Sequence, residues 1–383
     1  MNPSLHSSLR QFLVALAFVV WLPVTAFAQE TELTGDDLLW ETPLWGHSLN
    51  LRAGGGYKDN LLLSNINKDQ SYSLTAGLDY TLYRMPLDGT QFYFLITGDF
   101  TSFPEGRSVD DEQLVMTAAQ VKKKFLGNWQ ASLDAQYAYQ NQVYDASITE
   151  ADVQTLQVRG HRIEVRPGLR RNFSKGLWTE VSFAGQRQMF AVEEIDDYWE
   201  AGPRLVLGLD YGRKSEVSVS YSPRLSYYDT RAQFDEEGFS LPGTSLEYAL
   251  HTVEAALRHH FDEKRRWRAT TKLVYERVND NGQGFFDYAR YQAGQQLRYR
   301  GDLWEVRGSF KWNHYLYDVQ TASFTNLSRR SRTTYIAGLR IERALGRAVR
   351  IFVEYEYEQV LSNQPLDRYR VNTVQTGLDW AVF

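Results

Sequence analysis

The chain has 383 residues, with 42 Lys and Arg against 47 Asp and Glu. Its formal charge of −5 is too weak to recommend a nucleic-acid partner. It has no cysteine, which excludes a disulfide framework, and its 14% aromatic content with 24 Tyr is high for a water-soluble domain.

At the N-terminus, Arg10 precedes the apolar stretch Phe12 to Leu22, and Ala26-Phe27-Ala28 follows. A positive start, a short apolar core and an A-x-A site read as a secretory signal peptide over residues 1–28. Residues 29–45, acidic and carrying Trp40 and Trp45, read as a short periplasmic extension. The rest has no apolar run of about eighteen residues, so no helix is expected to span a membrane.

From residue 46 to 383 the chain alternates with period two. Leu49, Leu51, Ala53, Gly55 and Tyr57 oppose Ser48, Asn50, Arg52, Gly54 and Gly56; Trp129, Ala131, Leu133, Ala135 and Tyr137 oppose Gln130, Ser132, Asp134 and Gln136. Long alternation of this kind suits a strand with lipid on one face and water on the other. The predicted fold is all-β, a transmembrane antiparallel up-and-down barrel of about 16 strands, within a range of 14–18. The strands are expected near 47–58, 71–84, 90–103, 112–126, 128–142, 157–171, 177–190, 198–211, 215–228, 246–261, 266–278, 286–300, 302–317, 331–345, 347–361 and 367–383.

The connections alternate in length. Short turns such as Gly127-Asn128, Gly212-Arg-Lys214, Gly301-Asp302 and Gly346-Arg347 separate longer loops near 59–70, 104–111, 143–156, 191–197, 229–245, 279–285, 318–330 and 362–366. Short periplasmic turns and long outer loops are the habit of bacterial barrels, so both termini are expected in the periplasm. Aromatics sort to the strand ends. Phe92, Trp129, Trp178, Trp267, Trp304 and Trp380 among others suggest a periplasmic girdle. Tyr57, Tyr72, Phe100, Tyr139, Trp199, Tyr227, Tyr248, Tyr275, Tyr335, Tyr357 and Tyr369 suggest an outer one.

Extending the alternation gives a lumen. Arg162, Arg166, Arg268, Lys272, Arg290, Arg298, Arg307, Lys311, Arg340, Glu354 and Glu356 are expected to point inward, because a charge facing hydrocarbon costs roughly 2–4 kcal/mol at mid-depth. These residues either line a water-filled passage with a basic side or simply pair with one another and solvate the wall. The longest outer loop, 229–245, is the candidate constriction. Acidic groups at Glu105, Asp110, Asp111 and Glu112, at Glu193, Glu194, Asp196 and Asp197, and at Asp235, Glu236 and Glu237 read as solvated loops or as cation contacts to lipopolysaccharide. No dedicated metal site, cofactor or catalytic constellation is expected. His161, His251 and His259 fall on the lipid face with no serine two residues away, so the lipid-hydrolysing arrangement is missing.

The last residues, Gln375, Gly377, Leu378, Trp380, Val382 and Phe383, resemble the C-terminal strand signal that hands outer-membrane barrels to their assembly machinery. The opening strand, Leu51-Arg-Ala-Gly54-Gly55-Gly56-Tyr57-Lys58-Asp59-Asn60-Leu61, resembles the Gly-Tyr-Asp-Asp-Asn start of a β-barrel porin family, with Lys58 in place of the first Asp. Members of that family often accompany exopolysaccharide export or surface assembly. The expected function is therefore a porin-like channel for small polar or anionic solutes in the bacterial outer membrane. The alternatives are a barrel component of polysaccharide export or surface assembly, and a structural barrel with an occluded lumen. The expected partners are outer-membrane lipid and lipopolysaccharide, the assembly machinery and the solute or polysaccharide, with no nucleic acid.

Overall fold

The computed structural model describes residues 44–383 apart from 67, 87, 146–154, 193–194 and 324. The expected signal peptide, most of the expected extension, Glu193 and Glu194 lie outside the described residues. The strands are β1 (Trp45–Lys58), β2 (Ser71–Arg84), β3 (Thr90–Ser102), β4 (Asp111–Phe125), β5 (Trp129–Asp145), β6 (Thr155–Asn172), β7 (Leu177–Phe190), β8 (Tyr198–Tyr211), β9 (Ser215–Tyr228), β10 (Gln233–Phe234), β11 (Ser240–Leu241), β12 (Glu247–His260), β13 (Trp267–Asp280), β14 (Tyr288–Arg300), β15 (Trp304–Ser323), β16 (Asn326–Ala344), β17 (Val349–Ser362) and β18 (Tyr369–Ala381). Sixteen of them form one closed antiparallel barrel in sequence order, and β10 and β11 make a separate small hairpin between β9 and β12. Trp45, assigned to the extension on sequence grounds, already belongs to the first strand.

Closure joins the two ends of the barrel. Leu51 lies opposite Trp380 and Gly54 opposite Gly377. A Cβ on Gly377 would sit 2.3 Å from the Ala53 carbonyl oxygen, and one on Gly54 would sit 2.5 Å from that of Thr376. The seam is thus too tight for side chains at these two positions, which explains the glycine in the C-terminal signature. Main-chain bonds stitch the terminus itself, from Leu49 N–H to Phe383 O at 3.1 Å and from Val382 N–H to Leu49 O at 2.8 Å.

The alternation acts as the sequence pattern predicts. Leu273, Leu297, Phe310, Leu339, Val353 and Leu378 are exposed on the outer face. Their chain neighbours carry charges on the inner face, as Glu354 does beside Val353. An exposed apolar wall of this extent is stable only against lipid. Val353→Arg is expected to destabilise the folded barrel by about 2–4 kcal/mol, read from equilibrium unfolding in lipid vesicles.

Three of the short turns carry paired left-handed backbone: Leu126 and Gly127 at φ 45° and 68°, Lys175 and Gly176 at φ 62° and 83°, and Arg213 and Lys214 at φ 62° and 61°. Paired positive φ values suit the tight hairpin turn whose twist matches the flanking strands.

Three aromatics placed in the girdles on sequence grounds lie inside instead. Trp178 is buried on the inner face, with Arg170 stacked 3.9 Å from its ring and its indole N–H donating to Asp210 at 3.3 Å. Tyr248 is buried among Leu246, Val278, Phe285 and Phe286. Tyr369 is buried with Val360 and Val371, and its hydroxyl donates to Glu358 at 2.7 Å. Each sits near a strand end, where depth alone does not separate an inward from an outward ring. The strand register does.

Candidate functional site

The inner wall carries a row of arginines set by strand register. Arg268 lies opposite Arg298, Arg298 opposite Arg307, and Arg307 opposite Arg340, one residue from each of β13 to β16. The row ends at Glu354 on β17. Like charges directly opposite repel, so the row needs counter-charges. Arg340 has three, from Glu342, Glu354 and Asp379, each at 2.7 Å. The others share Glu305, a nearly buried carboxylate with Arg298 at 2.6 Å, Arg300 at 3.1 Å, Arg307 at 3.3 Å and Arg350 at 3.8 Å. Arg350 also approaches Glu342 at 3.4 Å. Arg268 makes no ion pair among the described residues. Four guanidiniums, on Arg298, Arg300, Arg307 and Arg350, therefore share Glu305 and Glu342, and with Arg268 five stand against those two carboxylates.

Farther around the wall the sign reverses. Asp79, Asp99 and Asp379 surround the single guanidinium of Arg52 at 3.3, 3.2 and 3.8 Å. Glu356 on β17 makes no ion pair among the described residues. The alternation argument does not foresee this acidic sector, because it forms only where barrel closure brings β17 and β18 beside β1 to β3.

The remaining predicted lumen residues fall outside the arginine row. Arg162 pairs with Glu164, and Arg166 lies 3.8 Å from Asp134. Lys272 pairs with Glu254 at 2.7 Å and Arg290 with Glu276 at 3.1 Å. Lys311 makes no ion pair among the described residues.

At the long-loop rim, three segments turn inward. The first follows β1. Asn60, fully buried, donates its amide to Ser64 O and Arg370 O at 2.9 and 3.0 Å, and Asp59 accepts from Asn372 N–H and Nδ2 at 2.7 and 2.6 Å. These bonds seat Leu63 on Val360, Tyr369 and Val371. The Asp-Asn of the opening-strand motif thus ties the first loop to the last strand.

The second is the 229–245 loop, the expected constriction. It packs Phe234 onto the wall cluster of Tyr248, Phe285 and Phe286 on its own side of the barrel. Its acidic cluster is partly spent on this fold, since Asp235 accepts the Phe239 N–H at 2.8 Å. At the neighbouring rim Asp229 accepts from Arg187, which holds its carboxyl below the usual carboxylate range.

The segment that crosses the mouth is a different one. Pairing of β4 with β5 stops at Asn141, and pairing of β6 with β7 stops at Gly160, but β5 and β6 stay paired to Asp145 and Thr155. Beyond the wall they form a free two-stranded ribbon. Asp145 pairs with Arg332 on β16, seven strands away around the ring. Arg332 is buried and also bonds Asp367 at 3.1 Å, and Asp367 in turn holds Arg330 at 2.6 Å. The ribbon is anchored at its base by Val143, packed against Leu61, Phe103 and Val109, and by Gln157, which donates to Asp111 O at 2.7 Å. Loop length pointed to 229–245. What sends the other segment across is a cationic anchor on the opposite wall.

No protein-family model and no curated protein matches the chain. Among solved structures it is similar in shape to OccK2 (OpdF) of Pseudomonas aeruginosa, with TM-score 0.47 and 9% identity over 88% of this chain and 98% of that one. It is similar also to OccAB1 of Acinetobacter baumannii, with TM-score 0.46 and 9% identity over 88% and 97%. A third is the outer membrane protein OprD from Pseudomonas aeruginosa, with TM-score 0.44 and 11% identity over 88% and 94%.

Proposed function

We propose that the protein is an outer-membrane channel through which small polar solutes pass passively, with anions favoured. The observation that carries this reading is the shortage of carboxylates along the arginine row, five guanidiniums to two, inside a closed barrel of sixteen strands. A barrel of that strand number leaves an aqueous interior rather than a packed one, and unbalanced interior charge sets which ions enter. In this reading the long loops face outward, toward lipopolysaccharide, and both termini lie in the periplasm, which the short turns on one rim and long loops on the other support. The seam residues Gln375 to Phe383 serve as the signal for the assembly machinery, and residues 1–28 as the export signal.

Planar-bilayer recording tests the reading. Purified protein should give steady ohmic steps, and a tenfold KCl gradient around about 0.1 M should give a reversal potential of anionic sign, because screening at that salt still leaves a field about 10 Å deep. A silent bilayer would favour the occluded structural barrel, and a cationic reversal potential would reject the arginine row as the selectivity element.

A further inference from the structure

We propose that a notch in the inner wall along β6 to β9 and β12 is a binding subsite for a neutral polyhydroxylated solute, a sugar ring, separate from the arginine row. The proposal rests on the channel reading only in that solute must reach the lumen.

The notch begins with three prolines. Pro167, Pro203 and Pro223 fall in one row across the wall, with Phe183 opposite Pro203 and His251 opposite Pro223. Pairing of β6 with β7 lapses between Val165 and Gly168, and pairing of β8 with β9 lapses between Ala201 and Leu205. Proline has no N–H to give to a ladder, and all of these strands are interior to a closed sheet, where proline is ordinarily excluded. The backbone adjusts there. A Cβ on Gly202, which shares the inner face with Arg204, would sit 2.1 Å from the Pro223 carbonyl oxygen and 2.8 Å from Arg224 Cα. The β9 backbone therefore lies close against the inner face of β8 at Gly202, where a side chain would not fit.

Small side chains sit in front of this row. Ala184, Gly202, Ser220 and Ser222 form the floor of a recess of about 410 Å³ between long Arg and Glu side chains. That volume lies in the range of small-ligand sites, roughly 300–1,000 Å³.

The charge around it differs from the arginine row. Arg166 lies near Asp134 and Glu164, at 3.8 and 3.9 Å. Arg204 and Lys272 share Glu254, at 3.7 and 2.7 Å. Arg224 bonds Glu200 and lies 3.9 Å from Glu276. With the Arg162–Glu164 pair, and with Arg290, which also holds Glu276 at 3.1 Å, six cations meet five carboxylates, and each of the six has a carboxylate partner. An anion meets cations that already hold carboxylates, with a surplus of a single charge, against three along the arginine row. A cation meets guanidiniums. An apolar solute leaves the donors and acceptors unmatched. A sugar hydroxyl both donates and accepts, so adjacent hydroxyls match guanidinium–carboxylate pairs and the Ser220 and Ser222 hydroxyls together.

The test uses the full-length protein in detergent and in bilayers, with maltose as the neutral probe and gluconate as the anionic one. Equilibrium dialysis should show maltose binding. Ala184→Leu with Ser222→Leu, which fills the recess from two strands without touching a charge, should weaken that binding by about tenfold or more. The same variant should keep its anionic reversal potential and its fold, read as heat-modifiable migration on a gel. Arg268→Gln should leave maltose binding unchanged. Maltose binding that survives the filled recess overturns the proposal, as does gluconate binding there more tightly than maltose. If wild-type protein binds maltose in a recess-dependent way yet never conducts, the subsite stands and the channel reading falls.

Discussion

Arg268→Glu combined with Arg307→Glu is expected to reverse the ion preference of the proposed channel. The pair changes the local balance from five guanidiniums and two carboxylates to three and four. The choice of residues matters. Arg268 has no ion pair to lose, and it faces Arg298 across the ladder. A glutamate there replaces a repulsive neighbour with an attractive one, so the variant should fold at least as well as the parent. Arg307 gives up only a 3.3 Å contact to Glu305, which keeps Arg298 and Arg300. The reversal potential in a KCl gradient near 0.1 M should change sign. Near 1 M salt, where the screening length falls to about 3 Å, the difference between parent and variant should shrink. An open channel whose reversal potential does not move would remove the arginine row from any account of selectivity.

Asp145→Ala should free the ribbon that crosses the mouth. Arg332 keeps Asp367 in this variant, so the buried cluster is not left with an orphaned charge. What is lost is one half of a nearly buried ion pair, for which a cost of about 3 kcal/mol is at the low end of measured losses. That corresponds to roughly a hundredfold rise in the detached fraction of the ribbon. Single-channel conductance should increase and become noisier. The barrel itself should keep its unfolding midpoint, because the ribbon lies beyond the paired wall. Unchanged conductance would mean that the Val143 and Gln157 contacts hold the ribbon in place without Asp145.

The wall of this protein was legible in its sequence. Alternation with period two is forced by lipid on one face, so residues such as Val353 and Glu354 declare their sides without reference to any partner. Closure was legible as well, in Gly377 and the terminal aromatics. Contacts between distant strands were not. That Arg268, Arg298, Arg307 and Arg340 share one level follows from the stagger between strands, which depends on several turns at once. Trp178, Tyr248 and Tyr369 were misplaced for a related reason. Interfacial depth attracts aromatics, but inside the barrel a ring over a guanidinium or in a loop contact is equally stable. The crossing ribbon was hidden because its anchor, Arg332, is 187 residues from Asp145 along the chain. The three prolines were visible in the sequence, but only the strand register shows them side by side.

The glycine seam between β1 and β18 has a consequence for biogenesis. Its partners, such as Asn50 and Ala381, are separated by nearly the whole barrel, so the contact that completes the wall is also the one with the largest loop to close. Until it forms, two strands present bare N–H and C=O groups, an invitation to pair with any other chain. Bulk at Gly54 or Gly377 should therefore show itself first as an assembly defect, with stalled, aggregation-prone chains accumulating before the membrane, rather than as a weakened finished barrel.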